Sequence, residues 1–266
     1  MSETRSELAL ERLLVVLEPS NPSRQPLAAA RELAQSFQLE LAGLFVENLN
    51  LLRLAALPIT REVGAVSGVV RAIDVIDVER ALRAQAQQLR GLFSSLAAEL
   101  DLPWSFRVER GELLERVLAE LSETVAAVFA PAARSAQTGT TTRVGAGAAR
   151  TRRVLAILDP TAAGSRAVSV AQRLSLTRGA SMAVAVVSAE SAGLGALREM
   201  ARKRVPAVAT DAALVRLADT SVGALADAAR MTACDVLVLG SAAFPRQQRE
   251  FRALLERVRC PVVLVG

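Results

Sequence analysis

The sequence predicts an α/β protein built from two doubly wound parallel-sheet units in tandem. Short apolar runs alternate along the 266 residues with stretches of helical periodicity. The apolar runs do not alternate with polar residues, which is typical of strands buried on both faces of a parallel sheet. Because crossovers between parallel strands are right-handed, this alternation predicts a doubly wound topology.

The alternation occurs twice because the chain repeats itself. Aligning Arg12 with Arg153 brings related residues together without a gap. The aligned pairs include Glu18 with Asp159, Pro19 with Pro160 and Leu33 with Leu174. A later block places Ala130 over Gly240 at a smaller offset, since the second copy has a shorter middle. The chain therefore contains two copies of one unit.

The first unit is predicted to span residues 1–130 and to contain four strands. Its buried-looking runs are 13–17, 39–46, 105–109 and 125–129. Apolar residues at helical spacing predict helices over 26–37, 77–100 and 113–121. Residues 131–150 are small and polar, which indicates a linker. The first unit thus lacks the last helix and the last strand that the second unit has.

The second unit is predicted to span residues 151–266 and to contain five strands. These strands lie at 154–158, 182–187, 214–218, 236–239 and 262–265. Helical spacing of apolar residues predicts helices over 165–177, 194–204, 221–231 and 246–258.

Several classes of catalytic and metal site are excluded by composition. The chain has no His, so it has no imidazole base and no His metal ligand. Lys203 is its only lysine and follows no glycine-rich run, which excludes a P-loop. Two cysteines are too few for a structural zinc site. We therefore predict no catalytic residues and no metal.

Charge and hydropathy favour a cytoplasmic protein. The net charge is +5, but the charges are spread through amphipathic helices and only 3% of residues are aromatic. A solvated basic surface explains this better than nucleic-acid binding. No stretch of about 18 apolar residues is present, so no membrane span is expected. The N-terminus does not resemble a signal peptide, and two cysteines suit a reducing compartment.

A ligand site is expected where strands end at the carboxyl edge of the sheet. Open parallel sheets bind ligands there, at the point where the strand order reverses. If the strand order is flavodoxin-like, this point separates the first strand from the third or fourth. The residues that follow the first strand of each unit are Glu18-Pro19 and Asp159-Pro160, and those that follow the fourth are Ala130-Pro131 and Gly240-Ser241.

These residues carry a resemblance to a known family. The repeated acid-and-turn opening, the strands ending near Val46 and Val187, and the closing stretch CDVLVLGS…RCPVVLVG resemble the universal stress protein (UspA-like) family, tandem two-domain type. The resemblance implies an adenine-nucleotide alpha-hydrolase-like fold. In nucleotide-binding relatives, an Asp after the first strand, backbone at the end of the second strand and a Gly-x2-Gly-x9-Gly-Ser/Thr loop hold the nucleotide.

By this resemblance, the candidate nucleotide-binding residues are Asp159, Val187, Gly240 and Ser241. The second glycine of the loop falls at Ala243. The final Gly-Ser pair falls at 253–254, or at 248–249 when counted back from Cys260-Pro261. Neither alignment restores a glycine. The first unit has Glu18 in place of the Asp and no loop, so we expect no cofactor, or ATP bound only weakly.

Four further features keep alternatives open. Arg246, Arg249 and Arg252 could grip phosphate or form the solvated face of the last helix. Near misses to G-x-G-x-x-G at 144–150 and 193–198 lack the third glycine and do not predict a dinucleotide site. Cys234 and Cys260 each precede one of two neighbouring strands, so they could form a redox pair or be two buried structural thiols. The apolar, proline-broken stretch 45–68 is expected to cap the crevice or to form an interface.

The function predicted from these observations is a non-catalytic, regulatory or protective role in the stress response. One alternative is an ATP-binding or slowly ATP-hydrolysing switch that uses the second unit. Another is a scaffold that docks partners through residues 45–68. We expect the two units to pair through their late strands or the chain to form a homo-oligomer, with no nucleic-acid or membrane partner.

Overall fold

A computed structural model describes residues 10–19, 25–57, 59–63, 68, 70–122, 124–129, 152–188, 193–205 and 212–266. The strands are β1 (Arg12–Leu17), β2 (Glu40–Asn48), β3 (Arg61–Val63), β4 (Val70–Ala72), β5 (Trp104–Gly111), β6 (Val125–Phe129), β7 (Arg153–Leu158), β8 (Ser181–Val187), β9 (Ala213–Leu217), β10 (Val236–Gly240) and β11 (Val262–Val265). The helices are α1 (Gln25–Phe37), α2 (Leu49–Ala55), α3 (Val75–Leu100), α4 (Leu113–Glu120), α5 (Ala162–Arg178), α6 (Leu194–Arg204), α7 (Val222–Thr232) and α8 (Gln248–Arg257).

Nine strands form one sheet in the order β5-β2-β1-β6-β11-β10-β7-β8-β9. In the first half β1 lies between β2 and β6, and in the second half β7 lies between β8 and β10. This order differs from the flavodoxin-like one, in which the first strand lies between the second and the third. Strand order is decided by pairing between distant segments, which local sequence patterns do not encode. The mixed α/β fold with a mostly parallel, helix-flanked sheet is confirmed.

The two halves of the sheet meet at its single antiparallel step. β6 pairs with β11 from Phe129 opposite Val262 to Ala126 opposite Val265, and the other pairings in the sheet are parallel. The edge that four strands alone would leave open beside β6 is therefore covered by β11. The expected pairing through late strands is found within the chain. The predicted linker 131–150 lies outside the described residues, and the domain boundaries stay a prediction.

Burial on both faces explains why the strands are apolar without alternation. Leu13, Val15 and Leu17 of β1 pack into the core on one face, while Leu14 and Val16 pack into the core on the other. Strands β6, β10 and β11 are buried along their whole length, whereas the edge strands β5 and β9 are partly exposed. The core thus consists of two layers, one on each side of the sheet.

The stretch between β2 and α3 has structure of its own. Helix α2 packs against α3, and β3 pairs with β4 as a separate antiparallel ladder. Asp74 then caps α3, because its carboxylate accepts a hydrogen bond from Ile76 N at 2.8 Å. This arrangement places the start of α3 and strand β4 above the carboxyl ends of β1 and β2.

Candidate functional site

A cavity of about 850 Å³ lies at the carboxyl ends of β1, β2 and β5. Glu18 and Pro19 follow β1, Val46 lies near the end of β2, and Gly111 ends β5. The cavity therefore occupies the edge of the sheet at which the sequence predicts a ligand. Most of its lining residues come from the first half of the chain, whereas the candidate nucleotide residues lie in the second.

The lining combines carboxylates and guanidiniums. Glu18, Asp74, Asp77 and Glu112 contribute acids, and Arg71 and Arg252 contribute positive charge. Two of the acids are held by α3, because Asp74 caps this helix and Asp77 pairs with Arg80 at 2.6 Å. The formal charge of the lining is negative, since four acids face two bases.

Apolar side chains form another part of the wall. Leu82 of α3 and Leu113 of α4 are each 4% exposed and reach the cavity from the core. Val46, Ile73 and Val78 extend this surface. Because ligand cavities usually combine an apolar wall with a few placed polar groups, this lining is suited to a small organic molecule.

One wall comes from the second half of the chain. Gln248 and Arg252 lie one turn apart on α8, and both line the cavity. The Gln248 Oε1 accepts a hydrogen bond from Leu114 N at 3.3 Å, so α8 caps the start of α4. The cavity is therefore assembled from both halves, with α8 lying against both α4 and α7.

A buried carboxylate next to the cavity escaped the sequence reasoning. Glu47 follows Val46 on β2, is 5% exposed, and accepts a hydrogen bond from Arg110 Nε at 2.8 Å. Arg110 also donates to Glu79 of α3 at 3.2 Å. The bond to Glu47 raises the pKa of the Arg110 guanidinium. The signal in the sequence is an acid within an apolar strand, and the bridge ties β2, β5 and α3 together.

Asp159, the acid expected to meet a nucleotide, is turned into the protein. It is 4% exposed, and its Oδ1 accepts hydrogen bonds from the backbone N–H and the hydroxyl of Thr161. Thr161 in turn caps α5 by accepting from Gly164 N at 3.1 Å. The Oδ2 of Asp159 is buried without a hydrogen-bond partner among the described residues. Asp159 thus supports the start of α5.

Gly240 is required by packing. A Cβ at this position would lie 2.5 Å from the carbonyl carbon of Ala163 and 2.6 Å from Gly164 N. The missing side chain lets the start of α5 lie directly on the end of β10. Ser241 uses its N–H to donate to Val265 O at 2.9 Å, and Val187 ends β8 beside Leu217. None of the four candidate nucleotide residues lines the large cavity, and their role stays a prediction.

The segment after β10 enters the core at the position where relatives carry a phosphate loop. Ala243 and Phe244 are 2% and 3% exposed. Phe244 stacks on Phe129, with ring centroids 5.6 Å apart, and also contacts Phe251 at 5.3 Å. Because this backbone is anchored by an aromatic cluster, it is not arranged as an open cradle.

The three arginines near α8 are divided between two surfaces. Arg246 and Arg249 line a shallower cavity of about 630 Å³ beside the start of α7, together with Arg257. Arg252 lines the large cavity instead. The three side chains therefore do not converge on one phosphate.

The remaining sequence features add no site. Gly193 is the N-cap residue of α6, and a Cβ added there would meet nothing within 4 Å. Residues 144–150 lie outside the described residues. In the parts of the chain that the structure describes, no group of three His, Cys, Asp or Glu side chains is placed to hold a metal. None of the helices described there combines the length and apolar character needed to cross a membrane.

Comparison with known proteins supports the fold. A universal stress protein from Archaeoglobus fulgidus DSM 4304 superposes with a TM-score of 0.54 at 14% identity, covering 97% of this chain and 98% of that chain. A functionally unknown protein from Pseudomonas aeruginosa PAO1 gives 0.49 at 14% identity, covering 97% and 93%. No family model matches the sequence, and no curated protein matches it. The resemblance to universal stress proteins is confirmed at the level of the fold.

Proposed function

We propose that this protein is a non-catalytic regulatory or protective protein of the universal stress type, which binds a small molecule in the cavity at the ends of β1, β2 and β5. The observation that carries the proposal is this cavity of about 850 Å³, which residues from both halves of the chain line. Its volume is within the range usual for small-molecule sites. The proposal places the protein in a reducing cytoplasm.

The lining favours binding over turnover. Among the residues that the structure describes, those that line the cavity include carboxylates, guanidiniums and amides, but no thiol, hydroxyl, imidazole or amine side chain. Covalent catalysis would therefore have only a carboxylate as nucleophile. A fixed mixture of polar and apolar groups suits recognition of a ligand.

The charge of the lining selects the class of ligand. Four carboxylates would repel a triphosphate, while the Arg252 guanidinium can donate hydrogen bonds to a single anionic group. The apolar surface formed by Leu82, Leu113 and Val78 suits a ring or a short chain. The ligand is thus a ring compound with no more than one anionic group.

Native mass spectrometry of the purified chain, followed by thermal-shift titration with adenosine, adenosine monophosphate and ATP, tests this assignment. We expect adenosine and adenosine monophosphate, which carry no phosphate group and one phosphate group, to stabilise the protein more than ATP does, with or without magnesium. Ala81→Phe should place a ring inside the cavity and reduce the shift, because Ala81 lines it. The matched control is Ala98→Phe, because Ala98 is exposed near the other end of the same helix and does not line the cavity. Equal shifts in both variants would contradict the proposed site.

The alternative function, an ATP switch, requires a nucleotide site in the second half of the chain. Asp159 and Gly240 lie together at the start of α5, but Ala243 and Phe244 are buried where the loop would bind phosphate. The scaffold alternative has Leu54, Leu57 and Ile59 in its favour, since these side chains are 54%, 47% and 84% exposed. Neither feature outweighs a cavity of this volume with a mixed polar and apolar lining.

A further inference from the structure

The two cysteines of the chain meet at the amino ends of β10 and β11. Their Sγ atoms are 3.5 Å apart, although the residues are 26 positions apart in the sequence. Both are free thiols. Cys234 is partly exposed, whereas Cys260 is 4% exposed. Contact between two thiols is the arrangement from which a disulfide forms with only a small movement.

We propose that Cys234 and Cys260 form a reversible oxidation site, which a peroxide converts from a dithiol to a disulfide. Partial exposure lets a small oxidant reach Cys234, while burial keeps Cys260 from reacting first. The two residues therefore have different roles, the first as the attacking thiol and the second as the resolving thiol.

The electrostatics of the pair agree with this division. The hydrogen bond from the Cys260 thiol lowers the pKa of Cys234, because it stabilises the thiolate. The same bond and burial raise the pKa of Cys260. Asp235 opposes a thiolate at either position, and its carboxylate is held by the Arg153 N–H at 2.8 Å. The thiolate is thus favoured on Cys234, the more exposed of the two residues.

The oxidation takes place in two balanced steps. The Cys234 thiolate attacks one oxygen of hydrogen peroxide, the O–O bond breaks, and a sulfenic acid and hydroxide form. The Cys260 sulfur then attacks the sulfenic sulfur, the S–O bond breaks, and the Cys260 proton leaves with the hydroxyl as water. A thiol reductant reverses the change by thiol–disulfide exchange.

The disulfide would close the segment that contains β10 and α8. Cys234 lies just before β10, and Cys260 lies just before β11. This segment carries Gln248 and Arg252, which line the large cavity, and Phe244 and Phe251 of the aromatic cluster. Oxidation therefore restrains both ends of the crossover that joins the halves of the molecule.

Reduced full-length protein treated with hydrogen peroxide tests the site. We expect intact mass spectrometry to show the loss of two hydrogens, reversed by a thiol reductant, and peptide mapping to link Cys234 to Cys260. Closing a loop of this length should raise the midpoint of thermal unfolding by roughly 5 °C. Cys260→Ser should stop the reaction at a sulfenic acid on Cys234, which dimedone traps. Cys234→Ser should leave Cys260 unmodified.

Three outcomes would overturn the proposal. Two free thiols after peroxide treatment would show that the pair is inert. A disulfide between two chains through Cys234 would show that Cys260 is not the resolving thiol. Equal rates of alkylation at both cysteines in the reduced protein would show that their exposures do not differ. Circular dichroism of each serine variant separates these outcomes from a failure to fold.

Discussion

At the scale of single residues, Gly240 gives the sharpest test of packing at the ends of β7 and β10. A Cβ there would lie 2.5 Å from backbone of α5, which cannot rotate away. Gly240→Ala should therefore lower the free energy of unfolding by about 1–3 kcal/mol, measured by urea unfolding. The control is Gly223→Ala in α7, where an added Cβ meets nothing within 4 Å. That change should stabilise the helix by up to about 1 kcal/mol. A neutral Gly240→Ala variant would show that α5 is free to move.

A second prediction concerns ATP and Asp159. The phosphate loop lacks its second and third glycines, so at least two charge-assisted hydrogen bonds are lost, each worth about 1.5–3 kcal/mol. ATP should bind the second half weakly or not at all. Its affinity should be lower, by a factor on the order of 10², than that of a site with an intact loop. Titration calorimetry with ATP and magnesium at near-physiological salt measures this. Micromolar affinity that Asp159→Ala abolishes would contradict the prediction.

Asp159 and Gly240 also show which part of the candidate site could be predicted from the sequence. The repeat and the family resemblance place Asp159 and Gly240 at the carboxyl edge of the sheet, and the structure brings them together at α5. The stacking of Phe244 on Phe129, which fills the loop position, could not be predicted. It joins residues far apart in the sequence, and no local pattern records which side chains meet across a core.

At the scale of elements, α8 supports its neighbour α4 through Gln248. The amide oxygen of Gln248 accepts from the N–H of Leu114, which is 4% exposed. Gln248→Ala leaves this donor without its acceptor and should cost about 0.5–1.5 kcal/mol in urea unfolding. Gln247→Ala is the matched control, because Gln247 caps α8 without a side-chain hydrogen bond. Equal losses in both variants would show that the contact with α4 contributes nothing.

Periodicity predicted the long elements and missed the short ones. Strands β1, β10 and β11 and helix α3 lie within a few residues of their predicted positions. Helix α2 and strands β3 and β4, inside or next to the proline-broken stretch 45–68, have seven, three and three residues. Elements this short contain too few residues to show a period. The cavity was missed with them, since strand β4 and the start of α3 complete its wall.

At the scale of the whole molecule, the pairing of β6 with β11 makes the two halves of the sheet continuous. Four residue pairs join these strands, and both are buried along their length. A loss of packing in β11 therefore reaches the first half through the shared ladder and the core layers on both faces. We expect the described parts of the chain to unfold together.

Trp104 makes this expectation measurable. It is the only tryptophan in a chain without tyrosine, and it lies on β5, at the far edge of the sheet from the second half. Leu264→Ala in β11 removes a fully buried side chain and should cost about 2–5 kcal/mol. The urea midpoint from Trp104 fluorescence should then fall by the same amount as the midpoint from far-UV circular dichroism. Leu176→Ala serves as the control, because Leu176 is 75% exposed on α5 and its loss should change stability by no more than about 0.5 kcal/mol. The expectation would be contradicted if Leu264→Ala left the urea midpoint from Trp104 fluorescence unchanged while the circular dichroism curve showed two separate transitions. The two halves would then unfold independently in spite of the antiparallel ladder.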